Sequence, residues 1–182
     1  MGFFSSSRTY NTFRGTIPLS LHLFREVTSA GAVGNIAAIG GVLASDTTPV
    51  MGAAATSEAH VIIWAAANAD IIQTSVPLPE DFDGRDDVYL DLFVRTDNTG
   101  GGSIEAASFS VLTSWDNAAQ VTDTATDSVP ATTSHVVTAT ISAADIPDNA
   151  SYVNIQLVPG THANDPTHLL AARLRYTKKT VS

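Results

Sequence analysis

The feature that most constrains this chain is a period of two. In Val88-Tyr89-Leu90-Asp91-Leu92-Phe93-Val94-Arg95 every second residue is apolar, which is the pattern of a strand with one face on a core and the other toward water. A helix needs a period of 3.6, and no ten-residue stretch shows one convincingly. The alternation recurs in Ile17-Pro18-Leu19-Ser20-Leu21-His22-Leu23, with Pro18 placed at a strand start or edge because it has no N–H for a ladder. It recurs again over residues 107–115, apolar at Ala107, Phe109, Val111 and Trp115. Between the strands at 88–95 and 107–115 lies Thr96-Asp97-Asn98-Thr99-Gly100-Gly101-Gly102, rich in residues that tolerate positive φ, so the two are expected to form a hairpin.

Further strands follow the same logic. Residues 135–141 are rich in β-branched side chains, and 142–147 read as a short crossing turn with at most one helical turn. Residues 152–158 place Val153, Ile155 and Leu157 inward, and the last strand places Leu170, Ala172, Leu174 and Tyr176 inward with Ala171, Arg173 and Arg175 wet. Residues 59–66 and 70–76 are apolar on both faces, which suits buried strands joined by one helical turn. About eight strands separated by Gly, Pro, Asp and Asn clusters predict an all-β fold, a jelly-roll-like antiparallel β-sandwich. The sandwich occupies residues 17–182 as a single domain, and residues 1–16 form an extended N-terminal arm.

At 182 residues such a domain can bury a core without staples. That matters because there is no cysteine, which excludes disulfides, a thiolate nucleophile and a zinc-thiolate site. The longest apolar stretch, residues 30–44, is mostly Ala and Gly and falls short of the ~20 residues of a membrane span, so no membrane partner is expected. The opening Met1-Gly2-Phe3-Phe4 lacks the charged and long apolar regions of a secretory signal, and synthesis in the cytoplasm is expected.

The net charge of −9 is unevenly spread. Arg8, Arg14 and Arg25 stand in a first segment without acids, and Arg173, Arg175, Lys178 and Lys179 in a last one, while the middle holds all 18 acids. An acidic body repels phosphate, which argues against nucleic acid as a partner. The arm cannot bury Phe3, Phe4, Tyr10 and Phe13 by itself. Aromatic and arginine side chains anchor interfaces, so Phe3, Phe4, Arg8, Tyr10, Phe13 and Arg14 are candidates for contact with a partner or a neighbouring protomer. Folding of the arm along its own sandwich stays open.

Chemistry has little to stand on. Asp81, Asp83, Asp86 and Asp87 could offer oxygens to calcium, but a loop counted from Asp81 puts Arg85 fifth and Leu92 twelfth, where an EF-hand needs a ligand and a glutamate. His162, Asn164, Asp165 and His168 crowd into one segment, yet Asn164-Asp165-Pro166 is turn chemistry feeding the last strand. Neither a Gly-x-Ser-x-Gly elbow nor a glycine-rich phosphate loop appears, and nothing specifies a glycosidase pair of carboxylates. The chain reads as a non-enzyme without catalytic residues, metal or cofactor.

Three segments carry a resemblance. They are Ser75-Val76-Pro77-Leu78-Pro79-Glu80-Asp81-Phe82-Asp83, Val158-Pro159-Gly160-Thr161-His162-Ala163-Asn164-Asp165, and Ala171-Ala172-Arg173-Leu174-Arg175-Tyr176-Thr177-Lys178-Lys179. With the strands between them, residues 59–179 resemble β-sandwich structural proteins of tailed phages, of the capsid decoration (cement) and head-fibre type. The resemblance implies a viral structural protein on the outer surface of the virion's capsid, often a homotrimer. Its partner would be the major capsid protein, whose subunit contacts it stabilises, with the aromatic arm docking there. The alternative is a carbohydrate-binding β-sandwich module of a tail or vertex fibre. Trp64 and Trp115 fall in phase with the core, so that alternative leaves Tyr89 as the sugar-stacking candidate.

Overall fold

The computed structural model describes residues 14–27, 49–53, 60–126 and 129–179. Phe3, Phe4, Arg8, Tyr10 and Phe13 therefore lie outside the described residues. Arg14, assigned to the arm with them, is instead the first residue of a strand, and the boundary at residue 16 falls within that strand.

Among the described residues twelve strands follow one another: β1 (Arg14–Leu19), β2 (Arg25–Val27), β3 (Val50–Ala53), β4 (His60–Trp64), β5 (Ile71–Pro77), β6 (Phe82–Asp83), β7 (Val88–Thr96), β8 (Ser108–Trp115), β9 (Val121–Thr126), β10 (His135–Ile141), β11 (Tyr152–Pro159) and β12 (Thr167–Lys178). They form two antiparallel sheets, as the alternation requires. One is seven-stranded with the path β10-β7-β12-β4-β3, and β1 and β6 also pair with β12. The other is five-stranded, ordered β2-β5-β11-β8-β9. The protein is an all-β, jelly-roll β-sandwich. Among the described residues no helix is long and apolar enough to cross a membrane.

The inward rows supply the core. Val88, Leu90, Leu92 and Val94 from one sheet meet Phe109, Val111, Ile155 and Leu157 from the other, all fully buried, and this burial is the main stabilising contribution. Trp64 and Trp115 are buried too. Trp64 packs edge-on to Phe109 and donates its ring N–H to the Asp70 carbonyl at 2.9 Å, so its polar tip is satisfied inside the core. Gly15 lies opposite Tyr176 so closely that a Cβ there would collide with the phenol ring.

Three expectations need correction, and one strand lies outside them. The strand expected over 17–23 ends at Leu19, and Leu21–Leu23 form a 3₁₀ turn that buries Leu21 and leaves Leu23 exposed. Strands β7 and β8 are not a hairpin, since β7 pairs with β10 and β12 while β8 pairs with β9 and β11. The connection crosses from one sheet to the other. A bulge between Leu169 and Ala171 shifts β12 by one residue, so Leu169 rather than Leu170 is fully buried ahead of it. Finally, β9 escapes the alternation because its inward row, Val121, Asp123 and Ala125, contains a carboxylate.

Candidate functional site

The two outward faces differ in chemistry. On the seven-stranded sheet, Asp91 is 2% exposed. It accepts bonds from Arg173 Nε at 2.8 Å, Arg175 Nε at 2.7 Å and Nη2 at 2.8 Å, and Thr138 Oγ1 at 2.9 Å. Burial opposes its ionisation, but the bonds from Arg175, Arg173 and Thr138 prevail and hold its carboxyl at about 2. The arginines are thereby laid over rings: Arg175 lies 5.0 Å from the centre of Tyr89 and Arg173 lies 5.2 Å from that of Phe93. Tyr89, the sugar-stacking candidate, thus carries a guanidinium of its own chain on its ring.

Tyr89 also borders a depression of about 340 Å³ with Arg14, Arg85, Asp86, Asp87 and Arg175. Its charged groups are largely committed within the chain. Arg85 forks onto Asp83 at 2.8 and 2.6 Å, Asp87 accepts the Ala143 N–H at 2.9 Å, and Arg175 serves Asp91. Asp81 accepts from Tyr176 Oη and Lys178 Nζ, each at 2.9 Å. The hydrogen bond from Arg85 holds Asp83 below the ordinary carboxylate range. The acidic segment at 80–87 is thus a set of local clasps, and among the described residues no three His, Cys, Asp or Glu gather to hold a metal ion.

The His162–His168 segment is likewise structural. Asp165 is 1% exposed and accepts the N–H groups of Thr99, Gly100 and Glu105 at 3.2, 3.4 and 3.0 Å. Glu105 reciprocates, its carboxylate accepting the N–H groups of Asn164 at 2.8 Å and Asp165 at 3.2 Å. Two loops are thereby locked together. His162 sets its ring nitrogens against the carbonyls of Gly160 and Ala65 at 2.6 and 3.1 Å, while His168 Nε2 lies 3.0 Å from Asp97 Oδ2.

The outward face of the five-stranded sheet is built differently. Register aligns one row across all five strands, Arg25, Gln73, Gln156, Leu112 and Thr122. The next row holds Ser75, Asn154 and Ser114, and on the other side Val158, Ser110 and Thr124 line up. Gln156 Nε2 donates to Gln73 Oε1 at 2.9 Å, and Ser75 Oγ donates to Asn154 Oδ1 at 2.5 Å. Each such pair fixes one side chain against the other and leaves the remaining donors and acceptors toward solvent. Tyr152 stands beside them at the start of β11, opposite Pro77. In these rows only Arg25, at the β2 edge, is charged. There Leu23, Arg25, Val27, Gln73 and Ser75 surround a groove of about 320 Å³.

These amides were not singled out in the sequence. The available signal was the residue type at wet positions: Gln73, Asn154 and Gln156 occupy places where a purely solvated face would carry Lys or Glu.

No protein-family model matches the chain, and no curated protein matches it by sequence. Solved structures do. A xylan-binding module, CBM15, superposes with a TM-score of 0.55 at 13% identity, covering 92% of this chain and 100% of that one. A crystal structure of the CBM22-1 and GH10 modules of xylanase 10B from Clostridium thermocellum, complexed with xylohexaose, superposes with a TM-score of 0.51 at 12% identity. It covers 94% of this chain, which spans 29% of that one. At such identity the likeness shows the fold, a β-sandwich shared with carbohydrate-binding modules, and the capsid-decoration reading gains no support from these structures.

Proposed function

We propose that this protein is a non-catalytic carbohydrate-binding module whose site is the outward face of the five-stranded sheet. The observation that carries the reading is the uncharged polar row, Gln73 with Gln156 and Ser75 with Asn154, presented on a rigid sheet. A neutral sugar offers hydroxyls that both donate and accept, and carboxamides match both roles without the desolvation cost of a charge. Leu112, Tyr152 and Val158 supply apolar surface beside the amides, suited to the C–H faces of a pyranose ring. The known modules of this fold support the class by analogy, and two of them are associated with xylan or xylohexaose. The face chemistry points to a neutral polysaccharide in extended form, laid across several strands.

The test is a screen of soluble polysaccharides, xylan included, by affinity electrophoresis, followed by titration calorimetry on the best ligand. Replacing Gln156 by Ala removes the central amide and is expected to weaken binding about tenfold, the worth of one or two lost hydrogen bonds. Tyr89→Ala, on the other sheet, should leave affinity unchanged. If no glycan binds, or if Tyr89→Ala abolishes binding while Gln156→Ala does not, this site assignment fails.

A further inference from the structure

We propose that His22 and His60 form a binding site for a divalent transition-metal ion, independent of the glycan face. The fold brings together two rings 38 residues apart in sequence, with His60 Nδ1 3.4 Å from His22 Nε2. The ring planes cross at 84° with centroids 5.3 Å apart, and one nitrogen of each ring is turned toward the other within hydrogen-bond distance. Two zinc–nitrogen bonds of about 2.05 Å meeting at the tetrahedral angle of about 109° place their nitrogens about 3.3 Å apart. The spacing that the apo pair holds as a hydrogen bond thus matches the bite of two ligands on one tetrahedral ion.

The backbones that carry the rings are anchored. His22 sits in the 3₁₀ turn closed by Leu23 N–H to Ser20 O at 3.0 Å and Phe24 N–H to Leu21 O at 3.2 Å, with Leu21 and Phe24 buried on either side. His60 opens β4 opposite Ala53, and Val61 and Ile62 behind it are buried. Pre-positioned ligands bind without having to order a loop. Both rings are exposed, so an ion can enter and water can fill its remaining positions. Arg25, close in sequence, turns its guanidinium onto the carbonyls of His22 and Phe24 at 3.2 and 3.1 Å.

No other pair of the five histidines converges in this way. His162 faces two carbonyls, His168 faces Asp97, and His135 Nδ1 faces the Thr133 carbonyl at 3.3 Å. Imidazole nitrogen suits zinc, copper and nickel, whereas calcium and magnesium prefer oxygen. The two-ligand site is therefore selective for the former group.

The experiment is calorimetric titration of zinc chloride into the untagged full chain in a non-chelating buffer near neutral pH. Saturable binding is expected, weakened about tenfold or more by His22→Ala and equally by His60→Ala, since each removes one of two ligands. His135→Ala should bind as the parent does. Because both rings are exposed, neither key substitution empties the core. Absence of saturable zinc binding by the parent chain would overturn the assignment, as would unchanged affinity in either His22→Ala or His60→Ala.

Discussion

Asp91 is nearly inaccessible to water and yet ionised, because two arginines and a threonine hydroxyl surround it. Its folded pKa of about 2 lies below the roughly 3.9 of an unfolded aspartate. The linkage therefore adds stability above pH 4, worth about 2–3 kcal/mol, and loses it as the pH falls from 4 toward 2. Asp91→Asn should cost about 2–3 kcal/mol at pH 7, since it strands two guanidinium groups beside a neutral amide. Urea denaturation from pH 7 down to pH 2.5 should then show the parent losing that advantage in acid while the variant lacks it throughout. Parallel curves would contradict this account. At Tyr176 the effect is opposite: burial and the hydrogen bond to the Asp81 carboxylate push the phenol to about 12, so it stays protonated at any ordinary pH.

Among elements, a clasp ties the 97–105 loop, where the chain passes from one sheet to the other, to the 161–166 loop. Asp165→Ala would leave three backbone N–H groups without their acceptor and should cost about 2–3 kcal/mol. Hydrogen exchange should speed at Thr99, Gly100 and Glu105 while the core of β11 stays protected. Unchanged exchange at those amides would show that the clasp is not what holds the loop. The β7–β8 connection departs from the expected hairpin for a longer-range reason. Its turn-forming residues are plain in the sequence, but the sheet that β8 enters depends on its pairing with β9 and β11, which a turn does not reveal. Alternation made β7, β8, β10 and β11 legible because each buries one clean row. It could not reveal the bulge in β12, where a single inserted residue resets the phase. Nor could it reveal the amide row of the five-stranded sheet: Gln73 and Gln156 are separately readable as wet positions, but they meet only through register between strands 83 residues apart.

For the whole molecule, the contrast between the two faces has a measurable consequence. One sheet turns outward a lattice of arginines, aspartate and stacked rings that satisfy one another, and the other turns outward carboxamides and hydroxyls. If binding takes place on the second, it proceeds without ion pairing, although the chain carries a net charge of −9. Affinity for a neutral oligosaccharide should therefore change less than about twofold between roughly 50 and 500 mM salt, a range over which exposed charge pairs are strongly screened. A steep salt dependence would move the site to the arginine-bearing face.

The position of β12 reaches beyond equilibrium. In the seven-stranded sheet β10 pairs with β7 and β3 pairs with β4, but β12 alone joins these two pairs and also holds β1 and β6. Among the described residues β1 pairs only with β12, so on a growing chain that pairing waits until Thr167–Lys178 has emerged. Closure of the sandwich is slowed by the long separations that these pairings must bridge.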